Sequence, residues 1–314
     1  MKILVTGGCG FIGSHVVDAY VNRGHHVVVI DDLSTGDIRN LNPKAVFYEK
    51  NICHQEIEEI FKKEKFDLVN HHAAQINVRK SVDDPLYDAQ VNIIGSLNVL
   101  NLSVQYGVKR FIFASSGGAV YGEPRQFPIT EDIPLDPLSP YAVSKIATEK
   151  YLVTFARTHV FDYVILRYSN VYGPRQISKS EAGVVSIFIN QILTKEKCIV
   201  FGAGNQTRDY VYVGDVVEAN LSALDCVSGV FNIGTGVETS VNDMINMLSK
   251  ITKQEVAYEH GAPRVGEVYR NALDCSKAKS TLTWSPTTPL LQGISKTFEY
   301  FSRLDEGAQK VSRS

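Results

Sequence analysis

The stretch VTGGCGFIG, Val5 to Gly13, decides the fold. It continues the apolar run Lys2–Thr6, opens a helical pattern over 11–23, and places glycines at 7, 10 and 13. A β-branched strand, a glycine turn and a helix in that order predict the first βα unit of a dinucleotide-binding fold. Gly7 permits the tight turn, Gly10 admits backbone close to a pyrophosphate, and Gly13 lets the helix lie on the strand. The helix N-terminus adds N–H donors and partial positive charge. A second strand over 26–30 leads into Asp31, 18 residues beyond Gly13. An acid at that distance reads as a ligand of a ribose diol and repels a 2′-phosphate. Asp32 follows rather than an arginine, so the expected cofactor is NAD and not NADP.

Outward from that unit the pattern repeats. Strand-like runs occupy 2–6, 26–30, 45–48, 67–71, 110–115 and 163–169, with helical spacing near 11–23, 54–63, 92–106 and 141–159. Strands apolar throughout, separated by helices, predict a parallel sheet covered on both faces. The second half is less regular, with loop-like stretches such as SNVYGPRQISKSEAG and FGAGNQTRDYVYV. Helical patterns return near 184–195, 215–225, 240–250 and 290–303. The expectation is an α/β protein, a Rossmann-type doubly wound parallel sheet with a smaller, mixed α/β C-terminal substrate-binding domain. Residues 1–170, rejoined by part of 205–240, would form the first domain. Residues 171–314 would form the second, with a disordered tail after about 304.

Bulk composition narrows the function. A net charge of −2 and 44% hydrophobic residues describe a globular protein without the basic surface that nucleic acid demands. No apolar run approaches the ~20 residues of a membrane span. Glycines at 7, 8, 10 and 13 break the apolar N-terminus, which reads as mature fold rather than a signal peptide. The five cysteines form no CxxC pair, and neither adjacent histidine pair (25–26, 71–72) makes a chelating site alone. A cytoplasmic, metal-free protein is expected.

Tyr141 and Lys145 lie four apart near the start of a helical stretch, so both side chains emerge on one face. A neighbouring ammonium and an oxidised nicotinamide ring would both favour the phenolate. A fall of about three pH units corresponds to about 4 kcal/mol of differential stabilisation. Tyr141 would then take a proton from a substrate alcohol as hydride leaves.

Together these residues resemble the extended short-chain dehydrogenases/reductases, and within them the UDP-galactose (UDP-glucose) 4-epimerases. The likeness covers nearly the whole chain through TGGCGFIG, DDLSTG, HHAAQ, QVNIIGS, SSGGAVYG, PYAVSK, LRYSNVYGPRQ, RDYVYVGDV, FNIGTG and PRVGE. It implies C4 oxidation of a UDP-hexose, rotation of the 4-keto sugar and return of the hydride to its other face. It assigns NAD contacts to Gly7, Gly10, Phe11, Ile12 and Gly13, and to the loop Asp31, Asp32, Leu33, Ser34, Thr35 and Gly36. Further NAD contacts fall on Asn51, where an aspartate is usual, and on Ile52, His72, Ala73, Ala74, Gln75, Asn92, Ser115, Tyr141, Lys145 and Tyr168. Homodimerisation through helices 92–106 and 141–159 is implied as well.

The resemblance also exposes a departure. Family members usually carry a Ser or Thr three residues before the valine of Val-Tyr-Gly, where it positions the reacting hydroxyl; here that position is Gly117. Ser116, as a third catalytic residue, a bound water, and a purely strand-capping role for both serines all stay open. Gly118 and Ala119 replace the acids that 4,6-dehydratases and decarboxylases carry before this motif, which disfavours both reactions. For the substrate, the resemblance assigns Ser116, Tyr141, Asn170 and Val185, phosphate-clamping Arg208 and Arg264, and ribose-binding Glu267. Asn271 falls near a position where some 4-epimerases carry a tyrosine that excludes N-acetyl sugars. Competing readings are a 2-epimerase or 4-ketoreductase of sugar nucleotides, or a non-catalytic NAD-binding protein.

Overall fold

The computed structural model describes residues 1–311 apart from 160, 178–182 and 264–267, with side-chain surroundings as far as 305. In the first half the strands are β1 (Lys2–Thr6), β2 (His26–Asp31), β3 (Val46–Glu49), β4 (Leu68–His71), β5 (Arg110–Ser116) and β6 (Asp162–Tyr168). The second half adds β7 (Asn170–Tyr172), β8 (Cys198–Phe201), β9 (Thr207–Tyr212), β10 (Gly229–Ile233), β11 (Glu238–Ser240) and β12 (Tyr258–Gly261). Helices α1 (Phe11–Asn22), α2 (Glu58–Glu64), α3 (Val78–Asp83) and α4 (Pro85–Ala89) precede a π-helical turn, Gln90–Gly95. That turn runs into α5 (Ser96–Gln105), followed by α6 (Pro140–Thr158), α7 (Val184–Leu193) and α8 (Val213–Ser222). The remaining helices are α9 (Val241–Thr252), α10 (Ser276–Thr281) and α11 (Leu290–Val311).

Seven parallel strands form the main sheet in the order β10-β6-β5-β4-β1-β2-β3. Alternate residues of β1 show why its strands are apolar throughout. Ile3 and Val5 enter one buried cluster with Val16, Val17 and Trp284, while Leu4 enters another with Phe61, Val99 and Leu152. Both faces are therefore covered, by α1, α8 and α10 on one side and by α2, α5 and α6 on the other. A third cluster, built on Tyr172, Phe188, Val200, Met244 and Ile294, forms the core around α7, α9 and α11.

Two sequence expectations change. The stretch FGAGNQTRDYVYV, read as a loop, carries the end of β8 and all of β9, which pairs with β7 and β11. The C-terminal helix, expected to stop near 303, continues to Val311.

Candidate active site

The main sheet reverses its winding direction between β1 and β4, and the loops after these strands meet there. Gly7 has φ of +68°, and a Cβ on it would lie 2.7 Å from Ala73 N. A Cβ at Gly10 or Gly13 would fall 3.2 or 2.2 Å from the Gly7 carbonyl. The three glycines thus converge on one carbonyl, so no side chain covers the start of α1. Its N-cap, Gly10, offers no side-chain cap, which leaves the first-turn N–H groups of Phe11, Ile12 and Gly13 to a ligand. This cradle fits the pyrophosphate of a dinucleotide.

The rim beside it is acidic and tightly bonded. Asp31, at the end of β2, accepts from Cys9 N on Oδ2 and Leu33 N on Oδ1, both at 2.9 Å. Burial raises its carboxyl above the ordinary range, and the two N–H bonds pull it back. Asp32 accepts from Ser34 N and Oγ and from Asn51 Nδ2. The Asn51 Oδ1 accepts from Cys53 N, so the amide expected to contact NAD is engaged on both atoms within the chain. Thr35 stays exposed, Gly36 packs on the Asp31 carboxylate, and Ile52 is buried below.

The candidate proton-transfer groups sit at the N-terminus of α6. Ser139 caps this helix by accepting from Ala142 N, Pro140 occupies its first turn, and Tyr141 N donates to Ser81 Oγ at 3.1 Å. The Tyr141 phenol lies near enough to Ser116 for the serine to favour its ionised form. One turn on, Lys145 is 5% exposed and donates from Nζ to Ala114 O at 3.0 Å. Its ammonium lies 5.0 Å from the Phe113 ring centroid and 5.8 Å from that of Tyr141. Burial lowers Lys145 to about 8, against the raising influence of Asp88 and Glu149. The phenol moves opposite to expectation. Burial pushes Tyr141 up to about 12, Ser116 pulls it back only in part, and Asp88 pushes it further up. The chain alone therefore holds Tyr141 as a neutral phenol.

Gly117 has a steric cause. A Cβ there would meet Leu273 Cδ1 at 2.6 Å and Arg167 O at 3.1 Å, and its carbonyl accepts from Asn271 Nδ2 at 3.2 Å. The nearest serine hydroxyl stands one residue earlier, at Ser116. Asn170 Oδ1 is buried without a partner, 3.6 Å from where a Gly118 Cβ would lie, and so opens toward the same spot. His72 stacks on Tyr168, 6.3 Å between centroids at 15°, with its buried Nε2 also unpartnered. Tyr168 itself accepts from Asn220 Nδ2. Ala74 follows in the same loop, and Gln75 is locked to Asn92: Gln75 N donates to Asn92 Oδ1, and Asn92 Nδ2 returns to Gln75 O.

Two side chains point elsewhere than expected. Ser115 Oγ is bonded to Glu149 at 2.5 Å, because the buried Glu149–Arg167 pair needs a further donor there. Val185 is fully buried in the core around α7, so only its backbone is left for a ligand. Arg208 donates to Thr207 O and Tyr269 O beside a recess lined by Phe201, Gln206, Pro263 and Tyr269. Arg264 and Glu267 lie outside the described residues.

Comparison with known proteins agrees with this arrangement. Residues 3–234 match the NAD dependent epimerase/dehydratase family. A putative UDP-glucose 4-epimerase of Methanocaldococcus jannaschii is 48% identical, covering 95% of this chain and 97% of its own. The crystal structure of UDP-glucose 4-epimerase from Thermotoga maritima with UDP-glucose is 49% identical at a TM-score of 0.95, covering 97% and 99%. That of the Thermus thermophilus UDP-glucose 4-epimerase complex with NAD is 39% identical at 0.92, covering 96% and 99%. The chain belongs to the NAD-dependent epimerase/dehydratase family.

Sequence reasoning missed the supports of this family site. Glu149 and Arg167, 3% and 5% exposed, form a buried bidentate pair behind the serines. Arg167 Nη1 also donates to Tyr121 OH, which donates to Asn232 Oδ1. A charge inside the otherwise apolar run YVILRYS was the available signal. Helices α3 and α4 were also missed, although Asp84-Pro85 is an N-cap followed by a first-turn proline.

Proposed function

We propose that this chain is a UDP-hexose 4-epimerase that interconverts UDP-galactose and UDP-glucose with a retained NAD. The observation that carries the reading is buried Lys145, bonded to Ala114 O one turn along α6 from Tyr141, with Ser116 close to the phenol. Bound NAD supplies the hydride acceptor and a positive charge beside the phenol. Tyr141 takes the proton of the sugar 4-hydroxyl and gives it back after the 4-keto sugar has turned over. Ser116 holds that hydroxyl in line, and Lys145 contributes a second positive charge. Gly118 and Ala119 carry no proton-transfer group, which supports epimerisation over dehydration.

Asn170, Arg208, Arg264 and Glu267 hold the diphosphate and ribose in this account, and the aromatic recess beside Arg208 takes the base. Asn271, 1% exposed and bonded to Gly117 O, keeps a compact side chain beside the sugar position, which supports acceptance of N-acetylated hexoses. Residues 1–170 with the segment of α8 and β10 act as the NAD domain, and the remainder as the substrate domain. Free cysteines support a cytoplasmic location. Among the described residues no helix is long and apolar enough to cross a membrane. Exposed Val82, Leu86, Ile94, Val143 and Tyr151, around α3 to α6, support a homodimer through this face.

The test is Tyr141→Phe. It is expected to lower kcat by about 10³-fold, as loss of a general base does, with NAD still bound. Undiminished kcat would refute the role given to Tyr141.

A further inference from the structure

One buried carboxylate beside the site has no part in the chemistry above. Asp88, on α4, is 1% exposed. Its Oδ1 accepts from Gln75 Nε2 at 2.8 Å and from Asn92 Nδ2 at 2.9 Å. Asn92 lies in the π-helical turn. The Asn92 carbonyl accepts from Thr148 Oγ1 at 2.9 Å and Ser96 Oγ at 2.7 Å. Thr148 lies three residues beyond Lys145 on α6. A continuous path of bonds thus joins Asp88 to the helix that carries Tyr141 and Lys145.

Two neutral amides on one oxygen do not neutralise a buried charge, and such a charge is costly unless another group answers it. The titratable groups facing Asp88 from α6 are Tyr141 and Lys145. Glu149 of α6 acts on the same lysine, and Lys145 in turn helps burial to hold His71, at the end of β4, and His72 neutral. On its own segment, Asp84 caps α4, and Lys80 lies over the Tyr87 ring.

We propose that Asp88 is a positioning residue: across the packing of α4 on α6 its buried carboxylate is the negative charge that answers Lys145, and it fixes the Gln75 and Asn92 amides against the catalytic helix. The inference rests on the epimerase reading for its kinetic consequence, but not for the ionisation of Lys145. Against the lowering effect of burial, Asp88 is the strongest influence pulling Lys145 back up. The same carboxylate pushes the phenol up.

Asp88→Asn keeps an oxygen that accepts both amide bonds and removes only the charge. In the NAD-loaded protein, ¹³C-labelled lysine would be titrated by NMR, with Lys145→Met assigning the resonance. Asp88→Asn is expected to lower the Lys145 ionisation by about one pH unit, the low end of what a nearby charge produces. Both limbs of the kcat–pH profile should move acidward together, because phenol and ammonium each lose their proton at lower pH. Asp88→Ala removes the acceptor too and is expected to shed NAD on gel filtration. An unmoved Lys145 titration in Asp88→Asn overturns the proposal. A wild type that titrates as expected but fails to epimerise contradicts the epimerase reading instead.

Discussion

At the scale of single residues, position 117 shows why a side chain is missing. Leu273 occupies the space a side chain at 117 would need, and Ser116 is the serine left beside the Tyr141 phenol. Two substitutions separate cause from coincidence. Ser116→Ala should lower kcat by about 10²-fold, the typical loss for one aligned hydrogen-bond partner. Gly117→Ser should not raise kcat, and should cost about 1–3 kcal/mol of stability through overpacking against Leu273. Chemical denaturation and steady-state assays read both. If Gly117→Ser is stable and faster, the packing account of this glycine is wrong. The sequence exposed the departure at Gly117 but not its cause, because Leu273 lies 156 positions away and only the fold brings it there. The direction in which Tyr141 moves was equally hidden. Spacing showed the lysine, whereas the burial that outweighs it is a property of the packed site.

At the scale of elements, the glycine cradle and the start of α6 do most of the positioning. Gly13→Ala would place a methyl 2.2 Å from the Gly7 carbonyl, where only backbone movement relieves the clash. The expected result is protein that folds but no longer retains NAD through gel filtration, measured by absorbance of the released nucleotide. Retained NAD would show that α1 can shift without loss of the phosphate site. These elements were legible because each carries a local signature: glycines at fixed spacing, or a serine cap before proline. The strands of the second half were not. β9 reads Thr-Arg-Asp-Tyr-Val-Tyr, and its Asp209 is fully buried while accepting from Thr235, Gly236 and Leu273. A buried carboxylate that ties two loops to its strand breaks the alternation by which a strand is read. The short α3 and α4 hold Ser81 and Asp88 against the catalytic helix, but are too brief for helical periodicity to show.

At the scale of the whole molecule, the sheet reads directly from six apolar runs, and its seventh strand, β10, comes from a distant part of the chain. The exposed apolar face around α3 to α6 belongs to this scale too. Val143 and Tyr151 are 48% and 42% exposed, two turns apart on α6. Replacing both by glutamate should convert the proposed dimer to a monomer in sedimentation, and an unchanged oligomer would place the interface elsewhere. The most direct test of the whole account uses the purified protein with no nucleotide added. UDP-galactose is supplied, and the anomeric proton of the sugar is followed by NMR. Conversion to UDP-glucose at a rate unaffected by added NAD is predicted, since the cofactor is retained and returned to its starting state each turnover. A protein that holds NAD yet leaves UDP-galactose and its N-acetylated counterpart unchanged would contradict the account.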